Sequence, residues 1–140
     1  MALDPRSMGS PTSRQRQEQE RGTLLRIPLF IAPQTVTTSN VTLHTVTAGK
    51  FFYCQDFGVC NIAGATIAIT VYVVASGGAA GVANKVYDAY SVLANDTGTL
   101  TALIGGIYEP GTFFVADTDN ATGANFWLSG YEAIGGDFLS

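Results

Sequence analysis

From Thr23 onward, apolar and polar residues alternate with a period of two, the mark of half-buried β-strands. Leu25, Ile27, Leu29 and Ile31 share one face of a first strand, with Arg26 and Pro28 on the other. Pro28 cannot donate to a ladder, which predicts an edge strand or a bulge. Val41–Thr47 and Phe51–Cys60 read as the second and third strands, with a bulge expected at Gly58. Asn61–Ala65 then reads as a hairpin loop. Thr66–Ala75 alternates most cleanly: Ile67, Ile69, Val71 and Val73 face one way, Thr66, Ala68, Thr70 and Tyr72 the other.

Ser76–Asn84 is a glycine-rich loop. Lys85–Leu93 is a strand, Ala94–Gly98 a turn and Thr99–Ile104 a short strand. Ile107–Gly111 is a turn with Pro and Gly in favoured places. Thr112–Ala116, Asp117–Gly123 and Ala124–Ile134 follow as strand, turn and final strand. No helix is predicted in this body. About eight short strands with regular turn signals specify an all-β, antiparallel sandwich, and that number suits a jelly roll.

Residues 1–22 differ in kind. They are rich in Pro, Ser, Gln, Arg and Glu and nearly free of apolar groups after Met8. Alone they cannot bury enough surface to offset their ordering entropy. The chain therefore divides into a polar N-terminal arm, 1–22, and a β-sandwich domain, 23–140. The arm is either a loose tail or a segment held by a partner.

Charge sharpens this division. Charged residues make up 13% of the chain, against about 25% in typical soluble proteins. Residues 23–140 carry Arg26, Lys50 and Lys85 against eight acidic groups, a net −5; residues 1–22 carry four arginines against three acids, a net +1. So little charge implies that much of the surface belongs to partners. An acidic body lacks the cationic footprint that nucleic acid requires. With no apolar run of membrane-spanning length and no apolar leader after Met1, neither a membrane span nor secretion is expected.

The chemical inventory is thin, and no enzyme or cofactor is expected. His44 is the single histidine, read as a strand-face residue at a surface or interface. No nucleophile elbow, phosphate loop or zinc spacing occurs. Asp117, Asp119 and Asn120 alternate oxygen side chains as a calcium loop does, but they lack a distal bidentate Glu, and Asx turns explain them more simply. Tyr72, Tyr87, Tyr90, Trp127 and Tyr131 offer aromatic faces for a sugar, or plain strand packing. Asp56 and Asp88 lie among apolar neighbours, as hydrogen-bonded interface positions would. Cys54 and Cys60 sit too far apart on one extended strand to bridge, and are expected as free core thiols.

Val46-Thr-Ala-Gly-Lys50, Val59-Cys-Asn61, Thr66-Ile-Ala-Ile-Thr-Val-Tyr-Val73, Leu93-Ala-Asn-Asp-Thr97 and Glu109-Pro-Gly-Thr112 together resemble small β-sandwich proteins of tailed-phage virions. With the polar arm, the chain is most similar to capsid cement (decoration) proteins, such as that of a Bordetella podophage. The resemblance implies a structural, non-catalytic protein on the outer surface of the capsid, with the major capsid protein as partner. A homo-oligomer, a dimer first of all, is expected from the low charge and open sheet edges. The residues expected to meet partners are Arg14, Arg16 and Arg21, which would pair with capsid carboxylates, the edge-strand residues Leu25 and Ile27, and Phe138 and Leu139 beyond the final strand. The alternative is a tail or fibre module that binds a host-surface glycan.

Overall fold

The computed structural model describes residues 26–134. Within them, nine strands run in chain order: β1 (Ile27–Val36), β2 (Val41–Thr45), β3 (Phe51–Asn61), β4 (Ile67–Val74), β5 (Lys85–Val92), β6 (Thr97–Thr99), β7 (Ile107–Tyr108), β8 (Phe113–Thr118) and β9 (Ala124–Ala133). Single 3-10 turns at Val82–Asn84 and Thr101–Leu103 are the helical elements among the described residues. The arm lies outside the described residues, as do Leu25, Phe138 and Leu139.

The strands form two antiparallel sheets. The larger has the order β1-β9-β3-β6, with β7 beside β6 along the same edge of β3; the smaller has the order β2-β8-β4-β5. The strand orders of these five- and four-stranded sheets, with β6 and β7 sharing one edge position, are those of a jelly roll. The predicted all-β sandwich is therefore the observed fold. Its core is the space between the sheets, filled by Phe52, Phe57, Phe114 and Phe126 with Ile67, Ile69, Leu100 and Leu128. Phe114 sits at its centre, edge-on to Phe52, Phe57 and Tyr108 at centroid distances of 6.0, 5.7 and 4.8 Å. Such edge-to-face pairs add to the gain from burial.

Strand alternation was read correctly where one face is buried. Ile27, Leu29 and Ile31 share a side with inward Glu132, Gly130 and Leu128 of β9, while Pro28 and Phe30 pair with outward Tyr131 and Ser129. β1 is an edge strand, as Pro28 requires, and its register shifts between Ile31 and Gln34, around Pro33.

Several local expectations are corrected. The β3 bulge lies between Cys54 and Asp56, not at Gly58. It resets the alternation, so Phe57, Val59 and Asn61 turn inward and Cys60 turns out. Asn61–Ala65 is no hairpin: β3 and β4 belong to different sheets, and the segment crosses between them. Residues 101–103 of the predicted Thr99–Ile104 strand are a 3-10 turn, the turn at Ile107–Gly111 includes β7, and β8 continues to Thr118.

One buried side chain holds the crossing. Asn61 Nδ2 donates to the carbonyls of Ala65, Val92 and Leu93 at 2.9, 3.0 and 3.0 Å, and its Oδ1 accepts from Ala63 N at 2.8 Å. This ties the β3–β4 crossing to the end of β5 and supplies partners to backbone groups there.

Candidate functional site

The outer face of the larger sheet displays a group of aromatic and apolar side chains. β1 contributes Pro28 and Phe30, β9 contributes Trp127 and Tyr131, β3 contributes Tyr53, and β7 contributes Ile107, opposite Tyr53. Phe30 is 66% exposed and Ile107 47%. Two shallow depressions adjoin there. One, of about 280 Å³, is lined by Pro28, Leu29, Phe30, Gln55, Ser129, Gly130 and Tyr131. The other, of about 400 Å³, is lined by Arg26, Tyr53, Gln55, Ile107 and Tyr131.

Backbone details build this face. Gly130 faces inward opposite Cys54, at the β3 bulge; a Cβ there would stand 1.8 Å from Tyr53 O, so only glycine lets the strands approach so closely. Gly58 faces outward beneath Trp127, and a Cβ there would stand 2.2 Å from the indole Cζ2. The indole N–H donates to Asp56 Oδ2 at 3.2 Å. Asp56 is therefore an exposed acceptor on this face rather than a carboxylate among apolar neighbours.

The sheet edges carry features that disfavour strand addition. β1 carries two prolines and a register shift; β2 shifts between Thr42 and His44. β5 shifts twice against β4, with Ala89 at φ 51 between the ladders. The fourth edge is divided between the three residues of β6 and the two of β7. Prolines, bulges and short strands are the means by which sheets avoid edge pairing. Each edge on which the expected dimer would pair thus carries a proline, a register shift or a short strand.

The second polar centre is buried. Glu132 points inward from β9 and is 5% exposed. Its Oε2 accepts from Thr47 N at 2.9 Å and its Oε1 from Thr47 Oγ1 at 2.6 Å. His44 Nε2 lies 3.1 Å from Oε2. Burial pushes this carboxyl upward, but the Thr47 hydroxyl and amide and the His44 ring together hold it below the ordinary glutamate value. The carboxylate bridges hydroxyl and imidazole, whereas nucleophilic catalysis needs the imidazole against the hydroxyl. The arrangement is a clasp on the β2–β3 turn. The ring of His44 also meets Phe52 edge-on at 5.4 Å. This partner set was not legible in the sequence, where His44 and Glu132 stand 88 residues apart.

The other candidates separate. Ile27, of the expected partner-binding residues, lies on the inner side of β1 near its start and is still 41% exposed. Arg14, Arg16, Arg21, Leu25, Phe138 and Leu139 fall outside the described residues. The five-ring sugar platform does not assemble: Trp127 and Tyr131 lie on the outer face of the larger sheet, while Tyr72, Tyr87 and Tyr90 belong to the smaller one. Tyr87 packs against the core, and its hydroxyl accepts from Ala102 N at 2.9 Å. Asp88 is exposed and paired with Lys85 at 3.0 Å.

In the Asp117–Asn120 segment the side chains serve the fold. Asp117 accepts from Tyr72 OH, Asp119 from Ala68 N and Asn120 Oδ1 from Thr122 N at 2.8 Å, the last an Asx turn. No group of three or more His, Cys, Asp or Glu side chains among the described residues is arranged to hold a metal ion. Both cysteines are free, Cys54 buried and Cys60 half-buried on the outer side. Among the described residues no helix is long and apolar enough to cross a membrane. Compared with known protein families, curated proteins and solved structures, the chain matches none.

Proposed function

We propose that the chain is a cement (decoration) protein of a tailed-phage capsid, and that it docks on the assembled shell through the outer face of the larger sheet. The observation that carries this reading is the union of an aromatic and apolar sheet face, Phe30, Ile107, Tyr53 and Tyr131, with edges blunted against strand addition. Such a body meets a partner face-on. A protein that binds the assembled shell and not its free subunits stabilises the shell by linkage. The low charge fits a surface given to protein contact rather than to solvent. The partner would be the major capsid protein across the joint between neighbouring subunits.

A second reading rests on the two depressions. They share Gln55 and Tyr131. A sugar ring can stack on such an aromatic ledge and hydrogen-bond to its rim. On that reading the chain is a tail or fibre module that recognises a host-surface glycan.

Imaging of purified particles carrying gold-labelled protein, with the same protein passed over a glycan array, separates the two. Regular label over the shell and an array without signal support the cement reading. Label confined to the tail, with array binding, supports the glycan module and removes the cement reading.

A further inference from the structure

On the outer face of the larger sheet, one row of side chains crosses four strands. Pro28 pairs with Tyr131, Tyr131 with Tyr53 and Tyr53 with Ile107. Three of them, Tyr131, Tyr53 and Ile107, line the depression of about 400 Å³ together with Arg26 and Gln55. The next outward pair toward the end of β9 is Phe51 with Ala133. Ala133 closes β9 and is fully buried, yet it does not belong to the core between the sheets. The outer face is therefore covered at the point where the chain leaves the sandwich.

Beyond Ile134 the chain reads Gly135-Gly-Asp-Phe-Leu-Ser140. Tyr131 lies three residues back from Ile134, about 10 Å of strand. Residues 137–139 span about the same length. A reversal at Gly135-Gly136 therefore returns Phe138 and Leu139 over the depression. Paired glycines suit such a reversal, because either can take a positive φ without strain. The chemistry matches as well: an aromatic and an aliphatic side chain for Tyr53, Tyr131 and Ile107, and a carboxylate, Asp137, for Arg26. The N-terminal arm leaves the body at the same end, where Ile27 pairs with Glu132, but it fits this floor poorly. Its nearest glycine is Gly22, it has no aromatic residue and no Leu, Ile, Val or Met between Met8 and Leu24, and its arginines would repel Arg26.

We propose that residues 135–140 fold back over the depression of their own chain, with Phe138 against Tyr53, Tyr131 and Ile107 and Asp137 beside Arg26. So short a tether gives an effective concentration on the order of millimolar, which places the chain's own tail ahead of a second copy's in dilute solution. The contact holds whichever partner the face serves. Its consequence rests on the docking reading proposed above: a partner that engages Tyr53 and Ile107 must displace the tail, and its apparent affinity scales with the uncovered fraction.

The test uses the full chain by itself, without particles or glycans, so its result does not depend on which partner the face serves. In NMR spectra of uniformly isotope-labelled protein, nuclear Overhauser contacts are expected from the Phe138 ring to the Ile107 methyls and the Tyr131 ring. A mixture of labelled and unlabelled protein should show none of these contacts between molecules. Phe138→Ser should move the signals of Ile107 and Tyr53 and leave those of Ile62 and Leu93, at the opposite end of the sandwich, in place. Asp137→Lys sets like charge against Arg26 and should weaken the Phe138 contacts about twofold at low salt. A Phe138 ring without contacts to this face, contacts that arise between molecules, Ile107 signals indifferent to Phe138→Ser, or contacts undiminished by Asp137→Lys would each overturn the proposal.

Discussion

Trp127 lies over Gly58 on the outside of the larger sheet, its indole filling the space a side chain would take. An aromatic residue covering a cross-strand glycine restores the apolar surface that the glycine lacks. Here it also aims the indole N–H at Asp56. Gly58→Ala should push the ring off the strand and break that hydrogen bond. A loss of roughly 1–3 kcal/mol is expected, as for other overpacked sites. Denaturant unfolding monitored by the single tryptophan measures the loss, and native emission should shift to the red.

Asn61 should be the costliest polar residue to remove. Its amide serves the carbonyls of two loops while 1% exposed. Asn61→Ala removes the amide from the Ala65 and Val92 carbonyls and the acceptor from the Ala63 N–H, while the Leu93 carbonyl keeps Asp96 N as a partner. A loss of roughly 2–4 kcal/mol is expected from several unsatisfied buried groups. Thermal unfolding of the variant checks it. A change below the measurement error would mean that water replaces the side chain freely.

The Glu132 clasp should make stability acid-sensitive. Its folded carboxyl titrates below the ordinary value, so its contribution is complete above the unfolded glutamate pKa of about 4.3. As pH falls through that value the unfolded chain takes up the proton first, and the contribution drains away until the folded carboxyl protonates too. Glu132→Gln should therefore be less stable than the parent near neutral pH. The gap should narrow from about pH 5 downward. Urea midpoints for both proteins across this range supply the test; a gap constant with pH would contradict it.

The two thiols should differ in reactivity. Burial, and then the nearby Asp56 charge, push the Cys54 thiol up to about 12, although a bond to Asp56 O pulls the other way. Cys60 sits half-exposed on the outer side of β3. Iodoacetamide should label Cys60 in the native protein and both residues after denaturation, as read by mass spectrometry. Labelling of Cys54 at the same rate as Cys60 would contradict the packing.

Period-two alternation revealed the strands because one face of each is buried and one is not. Ile67, Ile69 and Val71 are buried as that pattern requires, and Pro28 marks an edge because it has no N–H to give. The bulge in β3 was not legible: Gln55 carries no mark of an extra residue, while Gly58 does resemble one. The crossing after Asn61 reads locally like a hairpin, since what places β3 and β4 in different sheets is the pairing of each with strands far away in sequence. The clasp of His44, Thr47 and Glu132 and the meeting of Tyr53, Ile107 and Tyr131 are likewise products of topology. Composition shows a surface poor in charge, but only the register shows which side chains share the outer face of the larger sheet.

On the proposed cement reading, the most direct test of shell docking is co-sedimentation of the protein with undecorated particles of the tailed phage whose genome would carry it. Wild type should be compared with a Phe30→Asp, Ile107→Asp variant whose thermal unfolding matches it. Both side chains are exposed and outside the core, and burying two carboxylates in an apolar contact is costly. Saturating occupancy by the wild type is expected, with affinity for the shell at least about tenfold weaker in the variant. A wild type that does not sediment with the particles, or a variant that saturates them equally well, would contradict docking through this face.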